Sequence, residues 1–109
     1  MAHYLVQGEL NEDKAHELKN KVFSGELREL EPFGRAITHS LENAKFDPRS
    51  EMVLWEEEDY CTPPLAQERE AVLDIYFSNL QIEKVDKGEG WQEIDDLPSL
   101  WKKHPVFRD

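Results

Sequence analysis

The first residues of the chain alternate between apolar and polar positions, a pattern that predicts a β-strand over residues 3–9. Tyr4 and Val6 point to one side of an extended backbone, whereas Leu5 and Gln7 point to the other side. We therefore expect the chain to begin with a strand.

A helix is predicted over residues 12–24, because apolar residues in this stretch recur at helical spacing. The side chain of Asn11 can cap the start of this helix. Gly25 supplies the left-handed residue at which the helix ends. The apolar residues at helical spacing are Ala15, Leu18 and Val22.

Residues 26–46 carry two conflicting signals, and the first of them is helical. Pro32 is acceptable at a first helical position, and the apolar residues that follow it keep a period of about 3.6 residues. A helix over residues 32–42 is therefore one interpretation. The apolar residues concerned are Phe33, Ala36, Ile37, Leu41 and Ala44.

The second signal is a strong turn at residues 46–51, which contains an Asp-Pro pair and leads directly into four apolar residues. Such a turn usually joins two antiparallel strands. We therefore expect residues 41–46 to be extended and to pair with residues 51–58. The helical and extended interpretations disagree most over residues 33–40.

Another helix is predicted over residues 63–78. Thr62 can cap it, and Pro63 suits the first helical position because the missing N–H of proline costs nothing there. Residues 80–85 then alternate as a last strand, and residues 87–90 form a turn. The apolar stripe of the helix is Leu65, Val72, Leu73, Tyr76, Phe77 and Leu80.

The predicted order of elements is strand, helix, strand, strand, helix, strand, which indicates the α+β class. This is the order of the ferredoxin-like split βαββαβ sandwich, in which a four-stranded antiparallel sheet carries both helices on one face. A chain of 109 residues fits a single α+β domain over residues 1–109. Residues 90–109 are expected to be an aromatic-rich C-terminal extension that packs on the domain or on a dimer partner.

This C-terminal extension is too apolar for a disordered end. Its basic side chains Lys102, Lys103 and Arg108 can dock on an acidic surface. We therefore expect a homodimer. The predicted interface residues are Trp91, Trp101, Val106 and Phe107.

The charge of the chain excludes some classes of partner. With 13 Lys and Arg against 24 Asp and Glu, the formal net charge is −11, which repels phosphate backbones and anionic membrane surfaces. We expect no nucleic-acid or membrane partner, and a small-molecule or protein partner instead. No apolar run approaches the ~18 residues of a membrane span. The single cysteine, Cys61, cannot form an internal disulfide, so a cytoplasmic location is expected.

The most informative stretch is residues 55–64, where four consecutive acids lie between an apolar strand and a predicted helix start. On an extended strand Glu56 and Glu58 share one face, about 6.5–7 Å apart. Glu57 and Asp59 share the other face. Such pairs suit one hard cation or a general acid and base, and the simpler alternative is a solvated strand end. The predicted ligand-binding residues are Glu56, Glu58, Asp59, Tyr60, His39 and Trp55.

The rest of the chain carries no motif that indicates a metal or a cofactor. The histidines are scattered without HExxH spacing, and the chain has a single cysteine, so the paired cysteines of a zinc site are absent from the sequence. No metal site is therefore expected. Gly88-Glu89-Gly90 lacks the third glycine of a dinucleotide loop, and no cofactor is expected. Acids flank the thiol of Cys61 and oppose the activation that a helix N-terminus provides.

These signals favour a non-enzymatic module that assembles with itself or binds a ligand or partner, because no complete catalytic motif is present. The alternative is a small enzyme with a carboxylate-lined site around residues 56–60, with or without a divalent cation. A concave pocket that contains these carboxylates favours the enzyme, whereas acids that extend into solvent favour the binding module.

Overall fold

The computed structural model describes residues 2–108, and in this range it shows a four-stranded antiparallel sheet with five helices. The predicted α+β class is confirmed. The order of strands in the sheet is β2-β3-β1-β4. The strand bounds are Ala2–Leu10 (β1), Lys45–Asp47 (β2), Met52–Asp59 (β3) and Phe77–Val85 (β4).

The helices connect and cover these strands, and within residues 2–108 none of them is long and apolar enough to cross a membrane. The helix of residues 66–76 has a π-helical middle, Arg69–Leu73. Short 3₁₀ turns occur at Glu12–Lys14, Leu27–Glu29 and Pro105–Phe107. The helix bounds are Ala15–Phe23 (α1), Gly34–Glu42 (α2), residues 66–76, Glu89–Glu93 and Leu100–Lys103.

The central strand β1 confirms the predicted first strand and extends it by one residue at each end. Val6 lies opposite Trp55 of β3 on one side and opposite Ile82 of β4 on the other. Val6 and Trp55 are fully buried, because apolar side chains from α1 and from the 66–76 helix pack on this face of the sheet. This face therefore carries the hydrophobic core.

The first predicted helix is confirmed, with a 3₁₀ turn before α1. The side chain of Asn11 accepts a hydrogen bond from the backbone N–H of Asp13 at 3.1 Å, so Asn11 is the cap. Gly25 follows the helix with a φ of +89°, a left-handed conformation that favours glycine. Ala15, Leu18 and Val22 are buried as their spacing indicates.

The prediction that residues 41–46 are extended is wrong for its first part, because α2 continues to Glu42. Ile37 and Leu41 are fully buried at helical spacing, and this burial outweighs the turn signal. The alternative interpretation, a helix over residues 32–42, is close to the structure, although α2 begins at Gly34. The hairpin itself is present, since Phe46 of β2 pairs with Val53 of β3.

The start of the second predicted helix is also wrong, because the helix begins at Ala66 instead of Pro63. The Oδ2 atom of Asp59 accepts the backbone N–H groups of Cys61 and Leu65. These bonds hold the connecting loop against the end of β3, and Leu65 adopts a left-handed φ of +61°. The 66–76 helix therefore starts three residues later than the Thr62 cap predicts.

The C-terminal extension packs on its own chain. The indole N–H of Trp101 donates to the backbone carbonyl of Leu41 at 2.8 Å, and Leu100 is fully buried. The backbone N–H of Phe46 donates to the carbonyl of Pro98 at 2.9 Å, so the extension runs along the edge of β2. The sequence allows the extension to pack either on its own domain or on a dimer partner. For Trp101, contacts within its own chain account for the burial.

Candidate functional site

The strand β3 separates the four consecutive acids onto two faces, as their alternation predicts. Glu56 and Glu58 face a cleft that lies beside α2. Glu57 and Asp59 face the core side, where both are buried. The two pairs therefore belong to two different environments.

The cleft has a volume of about 420 Å³ and lies between α2, the end of β3 and the Glu89–Glu93 helix. We call it the α2 cleft. A second depression of about 340 Å³ adjoins it and shares His39 and Trp91. The residues that line the α2 cleft are His3, Arg35, Ala36, His39, Ser40, Glu56, Glu58, Lys87, Gly88 and Trp91.

The position of α2 follows from the shortness of β2. Because β2 pairs only with residues 52–54 of β3, no strand in the described range 2–108 lies beside the far end of β3 on that side. The hydroxyl of Ser40 donates a hydrogen bond to the backbone carbonyl of Glu56 at 2.7 Å. The helix thus covers the strand end, and Arg35 and His39 on the same helix reach the cleft.

Glu56 is an anchor for the Glu89–Glu93 helix. Its Oε1 accepts the backbone N–H groups of Gly90 at 2.8 Å and Trp91 at 3.2 Å. Its Oε2 accepts the N–H of Gly88 at 2.9 Å and lies 3.6 Å from Nδ1 of His3. A Cβ at Gly90 would lie 2.9 Å from Oε1, so the glycine permits this close approach. Three backbone N–H groups already bind the Glu56 carboxylate, so it is poorly placed to accept a proton from a ligand as a general base.

The cleft collects basic side chains in an acidic protein. Arg35, Lys87 and the histidines His3 and His39 line it, against the exposed carboxylate of Glu58. Across residues 2–108, no carboxylate oxygen lies within 4 Å of the charged nitrogens of Arg35 or Lys87. These two cations are therefore available to a ligand.

The structure brings together only some of the predicted site residues. Glu56, Glu58 and His39 share the α2 cleft. Trp55 and Asp59 lie on the opposite face of β3, and Tyr60 is 77% exposed outside the cleft.

The cleft residues that were not predicted as ligand contacts include His3, Arg35, Lys87 and Trp91. Trp91 was assigned to a dimer interface. Only His3 had a usable signal, because β1 places it directly opposite Glu58. The others depend on where α2 and the Glu89–Glu93 helix pack, which a single sequence does not specify.

The other face of β3 carries a second acidic group. Burial raises the pKa of Glu57 to about 8, although the hydrogen bond from the Trp55 indole acts in the opposite direction. Burial, together with the nearby carboxylate of Asp59, raises the pKa of Glu68 to about 7. These acids therefore hold protons near neutral pH more readily than exposed ones do.

Cys61 lies beside this second group and is half-buried. A hydrogen bond with the backbone of Gln67 lowers the pKa of its thiol, but desolvation and the carboxylate of Asp59 outweigh that effect and raise the pKa overall. The acids thus oppose activation of the thiol.

Comparisons with known proteins do not place this chain in a family. No protein-family model matches it, and neither a curated protein nor a solved structure does. Its function must therefore be inferred from the geometry and chemistry of the α2 cleft.

Proposed function

We propose that this protein is a non-enzymatic binding module that holds a small anionic ligand in the α2 cleft. The observation that carries the proposal is the pair of cations, Arg35 and Lys87, that line the cleft and form no ion pair within 4 Å among residues 2–108. In a chain with a net charge of −11, unpaired cations beside a concave surface favour a ligand that carries negative charge.

The chemistry of the lining defines the ligand class. The guanidinium of Arg35 suits bidentate hydrogen bonds to a carboxylate or phosphate group, and Lys87 adds a point charge. Trp91 offers an apolar ring face to the remainder of the ligand. The volume of about 420 Å³ accommodates a small molecule. We therefore infer a ligand with an acidic group on an apolar or aromatic body.

Trp91 also provides a probe for binding, because Trp55 and Trp101 are buried in the core. Benzoate and phenyl phosphate serve as anionic probes, and benzyl alcohol serves as the neutral comparison. We expect the anionic probes to change the tryptophan emission, with the response abolished in Trp91→Phe and binding weakened about tenfold in Arg35→Ala or Lys87→Ala.

Lys102→Ala is the matched control, because Lys102 is exposed and does not line the cleft. Its affinity for both probes is expected to equal that of the parent. Equal binding of benzyl alcohol, or equal loss of affinity in the control, contradicts the proposal.

The alternative is a small enzyme, and one observation favours it: Glu58 and His39 line the same cleft. A carboxylate and an imidazole in one cleft can act as base and acid. The hydrogen bonds of Glu56 count against an enzyme, because three backbone N–H groups already bind this carboxylate. Turnover of ester, amide or phosphoester substrates that is lost in Glu58→Gln and His39→Asn supports the enzyme.

We also propose a ferredoxin-like arrangement for the sheet and its core helices. The strand order β2-β3-β1-β4, with antiparallel neighbours throughout, supports it. The extra helix α2 between β1 and β2 is an addition to the six-element pattern.

A homodimer and a cytoplasmic location complete the proposal. The nine-residue strand β4 lies at one edge of the sheet, and a free edge of this length supports self-association. The lone cysteine supports a reducing compartment. Light scattering of the full chain distinguishes a dimer from a monomer of 12.8 kDa.

A further inference from the structure

A second group of potential ligands lies on the face of β3 that the α2 cleft does not use. Asp59, Cys61 and Glu68 each present one ligand atom, and these atoms all lie within 4.8 Å of one another. Asp59 and Glu68 are buried, whereas Cys61 is half-buried. The proposed binding of an anionic ligand does not involve these residues.

Among residues 2–108, two buried carboxylate oxygens on this face of β3 and on the 66–76 helix have no hydrogen-bond partner. They are Oε2 of Glu57 and Oε2 of Glu68, and both side chains are only 1% exposed. Oε1 of Glu57 accepts from the indole N–H of Trp55 at 2.8 Å, so only the second oxygen is free. Glu57 lies two residues before Asp59 on the same strand face, but it is not one of the three residues whose ligand atoms converge. A buried oxygen without a donor is costly, and a cation at this group would satisfy Oε2 of Glu68.

The backbone holds Asp59 in position for such a cation. Its Oδ2 accepts the N–H groups of Cys61, at 3.0 Å, and Leu65. These bonds leave Oδ1 as the remaining oxygen of the carboxylate. Ligand carboxylates in metal sites are oriented by hydrogen bonds of this kind.

We propose that Asp59, Cys61 and Glu68 bind a divalent cation of the zinc class, with a water molecule as the fourth ligand. A thiolate together with carboxylates suits zinc better than magnesium or calcium, which prefer oxygen ligands alone. Three protein ligands and one water match the tetrahedral coordination of zinc.

The spacing of the ligand atoms is compatible with this cation. Zinc lies about 2.0–2.3 Å from oxygen and sulfur ligands, so tetrahedral ligand atoms are roughly 3.5 Å apart. The ligand atoms are now up to 4.8 Å apart, so side-chain rotations that move them by about 1 Å bring them to the separation of a zinc site. The half-buried thiol of Cys61 leaves a path by which the cation enters.

Co²⁺ is the probe of choice, because coordination by a thiolate produces a charge-transfer absorption that carboxylates alone do not. The full chain is treated with a chelator, dialysed and titrated with Co²⁺ and then with Zn²⁺. We expect the absorption to appear with one equivalent of Co²⁺ and to disappear when Zn²⁺ displaces it. An excess of Mg²⁺ is expected to leave it unchanged.

The variants separate this site from surface binding. Cys61→Ser is expected to abolish the absorption, and Glu68→Gln is expected to weaken Co²⁺ binding about tenfold or more. Glu70→Gln is the matched control, because Glu70 is exposed on the same helix, and its binding is expected to equal that of the parent. Circular dichroism checks that each variant is folded.

Absence of a thiolate absorption in the folded parent overturns the proposal. Undiminished Co²⁺ binding in folded Cys61→Ser overturns it as well, because the cation would then be held elsewhere. As a second measurement, Zn²⁺ is expected to raise the melting temperature of the parent but not that of Cys61→Ser.

Discussion

The two faces of β3 show how differently neighbouring acids of one strand behave. On the cleft face, Glu56 is 5% exposed and accepts three backbone N–H groups. On the core face, Glu57 is 1% exposed and receives one donor, and its second oxygen has no partner in the part of the chain that the structure describes. Burial alone therefore does not define the surroundings of a carboxylate, because two buried acids differ in the number of donors that they receive.

This difference assigns different roles to the two faces. The three donors make Glu56 a tether between the sheet and the Glu89–Glu93 helix, and this tether shapes one wall of the α2 cleft. Within residues 2–108, neither Oε2 of Glu57 nor Oε2 of Glu68 receives a donor, so both carboxyl groups favour a bound proton or cation. Variants that remove one of these carboxylates test whether the two faces of β3 differ in this way.

The largest effect is expected from Glu56→Ala. Removal of the carboxylate leaves the N–H groups of Gly88, Gly90 and Trp91 without their acceptor, and we expect a loss of about 3 kcal/mol in the free energy of unfolding. Urea denaturation measures this loss. Glu58→Ala on the same face is the control, and its unfolding midpoint is expected to stay unchanged because Glu58 is exposed. A similar loss in both variants contradicts the tether.

The next effect concerns pH and the core face. The pKa of Glu57 is about 8 in the folded chain against 4.5 for the ordinary group, so over this interval the folded state binds more protons than the unfolded state. Stability from this group is therefore present below the ordinary pKa and is lost as the pH rises towards the folded value.

We expect the chelator-treated parent to lose about 2 kcal/mol of stability relative to Glu57→Gln between about pH 5.5 and pH 7.5. Urea denaturation of both proteins at several pH values measures the difference. Parallel pH profiles of parent and variant would mean that Glu57 does not carry a raised pKa.

The smallest effect compares two buried hydroxyls on α2. Ser40→Ala removes the hydrogen bond to the carbonyl of Glu56, and we expect it to cost about 1 kcal/mol. Thr38 is fully buried and its hydroxyl has no partner within residues 2–108, so Thr38→Val is expected to be neutral or stabilising. Thermal unfolding of both variants measures the contrast. A greater loss in Thr38→Val than in Ser40→Ala reverses the comparison.

Parts of the fold were predictable because short-range signals decide them. The Asn11 cap and Gly25 define α1, and the alternation of residues in β3 separates the acids onto two faces. Residues 41–46 were predicted incorrectly, since a local turn signal competed with the burial of Ile37 and Leu41. The outcome depended on the rest of the core, which a local pattern does not contain.

The candidate site shows the same limit. Alternation indicated that Glu56 and Glu58 share a face, and His39 was named with them, but the basic partners Arg35 and Lys87 were missed. These residues lie far from the acids along the chain. They meet at the cleft only because α2 covers the end of β3 and Glu56 anchors the Glu89–Glu93 helix.

The sequence by itself determined the class of the fold, the first helix with its caps, and the division of the four acids between two faces, because these depend on residues close together in the chain. Only the tertiary structure decided which pair lines a cleft, which acid is tethered by backbone donors, and that the C-terminal extension packs on its own core through Trp101. The physical reason is that donors, cations and burial come from distant segments, and their arrangement is set by the packing of the whole chain.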